Sequence, residues 1–104
     1  MSVQIRNNVQ VAGAGAGTMV FVHGFGCDQG MWRFTAAAFQ GRYRVVTYDL
    51  TGSGGSDKAA YDRDKYASLH GHAADLLEIL DEFAHGPTVV IGHSVGATIG
   101  MLAT

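Results

Sequence analysis

The 104-residue sequence holds one cysteine, Cys27. A lone thiol cannot form an internal disulfide, which excludes a small disulfide-stapled scaffold and fits a reducing compartment. Charge is scarce too: charged residues are 15% of the chain, the net charge is −2, and the signs are scattered. Without a basic stripe, no nucleic-acid partner is expected. No apolar run is long enough to span a bilayer, and Ser2-Val3-Gln4-Ile5-Arg6 lacks the apolar stretch of a signal peptide. The expectation is a cytoplasmic protein with no membrane contact. Hydrophobic residues are plentiful, at 47%. That suits one packed domain over residues 1–104 and is too many for a disordered chain.

Two glycine-rich stretches lack the context of a nucleotide site. Gly13-Ala14-Gly15-Ala16-Gly17 precedes a β-favouring run instead of leaving one, so it reads as a flexible turn. Gly52-Ser53-Gly54-Gly55 lacks the Lys-Ser/Thr of a phosphate loop. His70 and His72 are two apart on a predicted helix, share no face, and make a poor metal pair. No cofactor and no metal are expected.

Around these stretches the pattern alternates. Val3 to Val11 reads as a short strand pair turning at Asn7-Asn8. Strands follow at Thr18–Val22, Tyr43–Tyr48 and Thr88–Ile91, with a short helix around Met31–Phe39 and a longer one over Leu69–Ala84. In the longer helix Leu69, Ala73, Leu76, Leu77, Leu80 and Phe83 form the apolar stripe, leaving Asp75, Glu78, Asp81 and Glu82 for solvent. Ser68 is placed to cap its start, and His85-Gly86-Pro87 stops it. The order predicts an α/β fold, a mostly parallel sheet with helices on both faces. Ligands then belong at the C-terminal strand ends, in the loops after Val22, Tyr48 and Ile91.

The third of these loops carries the strongest signal. Gly92-His93-Ser94-Val95-Gly96 is G-x-S-x-G between the run Thr88–Ile91 and a small, apolar, helix-competent segment. A strand turning this sharply into a helix holds its central residue in strained dihedrals and lifts the hydroxyl clear of the sheet. Larger side chains at Gly92 and Gly96 would collide with neighbouring backbone. The helix start directs backbone N–H groups toward whatever Ser94 attacks. An acyl-transfer serine also needs two donors where charge develops on the carbonyl oxygen. The Val95 N–H supplies one, and the Phe25 N–H of the loop His23-Gly24-Phe25-Gly26 is the candidate for the other.

The chain resembles the α/β-hydrolase fold. More narrowly, it looks like the RsbQ-type group, which takes in a bacterial stress-signalling hydrolase and the plant strigolactone and karrikin receptor hydrolases. The segments that carry the resemblance are His23-Gly24-Phe25-Gly26-Cys27-Asp28-Gln29 with Met31-Trp32; Tyr48-Asp49 with Gly52-Ser53-Gly54 and Ser56-Asp57; Tyr66 with Ser68-Leu69 and Gly71; and Gly92-His93-Ser94-Val95 running on through Ile99-Gly100. It implies Ser94 as nucleophile, Phe25 and Val95 as oxyanion hole, Gly24, Gly92, His93 and Gly96 shaping the elbow or pocket, and a small ester or lactone as ligand.

In this fold the acid and the histidine follow the serine in chain order, whereas this sequence ends at Thr104. The expectation is therefore the elbow half of a hydrolase core, without lid, acid or base, and with weak or no turnover. A receptor-type binding or signalling module and an inactive folding unit stand as alternatives. His93 should turn away from its neighbour Ser94, and His23 reads as a packed, loop-bracing residue. His85 suits the helix C-terminus. Asp49 and Asp57 suit turns, Cys27 suits a buried small hydrophobe, and Met31 and Trp32 suit core or pocket wall equally. With Thr88–Ile91 as an edge strand beside an apolar helix, a homodimer or higher oligomer through that edge is expected.

Overall fold

The computed structural model describes residues 2–104. Strand β2 (Thr18–Val22) is buried along its whole length and forms the spine of a four-stranded sheet. It pairs in parallel with β3 (Arg44–Thr47) on one side and with β4 (Thr88–Gly92) on the other, in register from Thr18↔Thr88 to Val22↔Gly92. Strand β1 (Gln10–Ala12) adds to β3 antiparallel, so the order is β1-β3-β2-β4. The sheet is mostly parallel, as expected, and β4 is its edge.

The period of two along β2 divides the core into two layers. Val20 and Val22, with Val46 of β3, face a cluster holding Leu76, Ile79 and Ile99. These come from helix α3 (Leu69–Phe83) and helix α4 (Val95–Ala103). Met19, Phe21 and Val45 face the other way, onto Trp32 and Ala36 at the start of and within helix α2 (Arg33–Phe39). Helices therefore cover both faces. Each fully buried Val, Leu, Ile or Phe contributes about 1.5–3 kcal/mol by leaving water. Ser68 caps α3 by accepting from the His70 N–H at 3.3 Å.

Three local expectations are corrected. Val3–Val11 is no strand pair: Val3–Arg6 is a short helix, α1, capped by Ser2, and only β1 follows it. The physical reason is tertiary. Val3 packs on the α3–α4 cluster, and Asn7 is fully buried, donating its amide to the Asp49 carbonyl and the Thr51 hydroxyl at 3.0 Å each. Asn8 does make the expected turn, with φ +47°. Asp75 does not face solvent: it is 1% exposed and takes hydrogen bonds from Tyr66 at 2.7 Å and from Thr51 and Lys65 at 2.8 Å. Arg6 also lies 3.1 Å from it. Leu77 leaves the apolar stripe for the surface and Ile79 takes its place in the core.

Candidate functional site

Strand β4 ends where its backbone must reverse. The His93 N–H donates to the Val22 carbonyl at 3.0 Å, holding the end of β4 against β2. At Ser94 the chain adopts φ +57°, ψ −121°, a conformation that costs a residue with a Cβ about 1–3 kcal/mol. Helix α4 begins at the next residue, with the Gly96 N–H on the His93 carbonyl at 2.9 Å and the Ala97 N–H on the Ser94 carbonyl at 3.0 Å. Although Ser94 occupies the N-cap position, its hydroxyl makes no capping bond, and the residue is exposed. The flanking glycines are sterically required. A Cβ on Gly92 would collide with the backbone of Gly96 and Ala97, and one on Gly96 with the Val22 carbonyl oxygen.

The loop after β2 lies against this turn. A Cβ on Gly24 would meet the His93 carbonyl oxygen at 3.2 Å, His93 Nδ1 at 3.3 Å and Ser94 Cβ at 3.4 Å. The Cys27 N–H closes the loop on the Gly24 carbonyl at 3.2 Å. Phe25 is 59% exposed, its ring edge-on to His72 with centroids 5.8 Å apart. Among the described residues, neither the Phe25 N–H nor the Val95 N–H donates to a protein acceptor. The structure thus brings Gly24, Gly92, His93, Ser94 and Gly96 together, and Phe25 and Val95 follow Gly24 and Ser94 in the chain.

The titratable groups divide clearly. His23 is fully buried and braces the loop. His93 is exposed beside Gly24. The His85 backbone exchanges hydrogen bonds with the Thr18 hydroxyl at 2.7 and 2.9 Å. No histidine among the described residues hydrogen-bonds Ser94, and none joins a metal-binding group. Asp57 makes its expected turn by accepting from the Ala59 N–H at 2.9 Å. Asp49 does more than form a turn. It is buried and accepts from the Gln29 and Gly55 N–H groups at 2.8 Å and from Asn8 at 3.0 Å. Burial opposes its charge, but these hydrogen bonds outweigh it and hold the carboxyl below 3.8. Cys27, expected in the core, is exposed. Trp32 is core, packed on Phe21 with centroids 5.0 Å apart.

Sequence reasoning missed His72. It is buried on α3 against Tyr66, its Nδ1 without a partner. Burial is the main cause holding its imidazole below 6.5; the Asp75 charge opposes this, and His23 and Lys65 reinforce it. Only its spacing from Ala73, Leu76 and Ile79 along α3 could have placed it on the covered face.

A mostly parallel sheet, helices on both faces and a strained serine between the edge strand and the next helix define an α/β-hydrolase fold. Comparison with known proteins agrees. Residues 19–104 match the family model described as Alpha/beta hydrolase family. The chain is 38% identical over 102 residues to a karrikin insensitive 2 receptor of Petunia hybrida, covering 98% of this chain and 38% of the receptor. It is 40% identical over 103 residues to a probable esterase of Oryza sativa subsp. japonica, again covering 98% and 38%. The solved structure of a hydrolase from Oleispira antarctica superposes with a TM-score of 0.90 at 39% identity, over 98% of this chain and 37% of that one. The chain belongs to the α/β hydrolase family. It spans well under half the length of these relatives. No helix among the described residues is long and apolar enough to cross a membrane.

Proposed function

We propose that this chain is the nucleophile-bearing part of an RsbQ-like serine hydrolase core acting on small esters or lactones. The observation that carries the reading is the backbone of Ser94: φ +57° at the mouth of α4, on an exposed residue whose hydroxyl makes no capping bond. Ser94 Oγ attacks the substrate carbonyl carbon, and the negative charge on the carbonyl oxygen is met by the Phe25 and Val95 N–H groups. Collapse expels the alcohol and leaves an acyl-serine, which water then cleaves. An esterase relative supports the substrate class.

The Ser94 proton needs an acceptor, and no described histidine hydrogen-bonds Ser94. Oxyanion hole and binding alone retain ~10³–10⁴-fold catalysis over water, so these residues by themselves turn over weakly or not at all. That same feature favours a second reading, a ligand-binding receptor module, which the petunia relative supports. Hydrolysis of an activated aryl ester by the chain and by Ser94→Ala tests the first reading. A slow rate lost in Ser94→Ala supports it, and equal rates contradict it.

We also propose that a second copy covers the β4 edge. Among the described residues no strand pairs with that edge, and Val89, Met101 and Leu102 beside it are 54%, 71% and 43% exposed. Unpaired strand edges next to apolar surface recruit another strand. Light scattering at micromolar concentration checks this: a dimer or larger species is expected, and a monomer contradicts it.

A further inference from the structure

The His23 ring is fully buried at the end of β2, and both of its nitrogens are engaged. The Leu50 N–H donates to Nε2 at 3.0 Å. Nε2 must therefore present a lone pair, which leaves the proton of the neutral ring on Nδ1. Nδ1 lies 2.7 Å from the Gly24 carbonyl oxygen, so His23 donates there. The tautomer is set by a backbone group on the far side of the ring, beyond β3.

The Gly24 carbonyl belongs to the same peptide as the Phe25 N–H. A trans peptide is planar, with C=O and N–H pointing in opposite directions, and the described chain has no cis bond. Fixing the carbonyl toward the buried His23 ring turns the Phe25 N–H away from it. The Cys27 N–H holds the same oxygen at 3.2 Å. The Gly24 end of this peptide already lies against the His93 carbonyl and Ser94 Cβ. Hydrogen bonds accepted by a carbonyl also polarise its peptide and strengthen the N–H as a donor.

We propose that His23 is a positioning residue of the oxyanion hole: it orients and polarises the Gly24–Phe25 peptide so that the Phe25 N–H is presented to developing negative charge. This rests on the reading of Ser94 as nucleophile and of Phe25 as a donor. It assigns His23 no proton transfer, because both nitrogens are committed to the backbone.

Two measurements test it. Long-range 1H–15N correlation on the unmodified chain at neutral pH reads the tautomer directly. A proton on Nδ1 alone is expected; one on Nε2, or on both nitrogens, overturns the proposal. The second measurement is saturation kinetics of phosphonylation by a fluorophosphonate for the native chain, His23→Phe and Ser94→Ala. Loss of one oxyanion donor costs on the order of 10²–10³ in rate. His23→Phe should lower the maximal phosphonylation rate on the order of 10²-fold, leave the half-saturating concentration unchanged, and shift the Phe25 amide resonance. A native maximal rate or an unmoved Phe25 amide in His23→Phe overturns it. Should that variant not fold, the tautomer decides alone. Labelling that persists in Ser94→Ala would sink the nucleophile reading itself, whereas labelling lost there but native in His23→Phe sinks only the role of His23.

Discussion

The Thr51 hydroxyl donates to the Asp75 carboxylate at 2.8 Å, pinning the loop after β3 to the covered face of α3. Around that bond Asp75 also gathers Arg6, Lys65 and Tyr66. One carboxylate thus joins α1, the segment before α3, and the loop after β3. Burial alone would lower Lys65, but the hydrogen bond and charge of Asp75 outweigh it and hold its ammonium above 10.5.

Removing that carboxylate leaves Arg6, whose side chain is 13% exposed, without its buried partner. Breaking a buried pair from one side costs about 3–5 kcal/mol. Asp75→Ala should fall near the lower figure in urea melts, since Lys65 can turn to water. Glu78→Ala loses only an exposed partner of Arg6 and should cost under about 1 kcal/mol. Equal losses would show that the Asp75 cluster adds nothing.

Much of this was legible and some was not. The strands, α3 and the serine turn follow from local pattern: β-favouring runs, a 3.6-residue stripe, and glycines flanking Ser94. Asp75 was not legible, because its partner Arg6 lies 69 positions away and nothing local marks the pairing. Val3–Arg6 alternates loosely like a strand, but the packing of Val3 and the buried Asn7 decide its shape. Residue type alone favours the core for Cys27, while the loop closed by its own N–H carries it to the surface.

Stability should fall on acidification in two stages. The folded state holds His72 below 6.5, so at lower pH the unfolded chain binds a proton that the folded one resists. This contribution is complete above 6.5 and is lost as pH falls through the depressed value. Asp49, held below 3.8, adds a second loss at lower pH. Thermal melts of the native chain should show the upper stage, and His72→Phe should flatten it. An identical slope in the variant would contradict the assignment.

Helix α3 offers a graded test of which face is covered. Leu76 is fully buried, Leu80 half-buried and Leu77 50% exposed. Leu76→Ala should cost about 2–5 kcal/mol, Leu80→Ala less, and Leu77→Ala least. A reversed order in denaturant melts would mean that α3 is rotated from the position described.

The elbow can be tested by crowding it. A methyl at position 96 meets the Val22 carbonyl, and overpacking of this kind costs about 1–3 kcal/mol. Gly96→Ala should therefore lower stability and displace Ser94. Gly41→Ala, where an added methyl meets nothing within 4 Å, is the control. Equal stability of the two variants would remove the steric argument for G-x-S-x-G here.

The central claim is that Ser94 is a nucleophile. Its most direct test is the site of covalent modification by a fluorophosphonate, read by intact mass and peptide mapping. The account predicts one adduct, on Ser94, absent in Ser94→Ala and weakened in Gly96→Ala. An unmodified Ser94 under conditions that label other serines of the folded chain would contradict it.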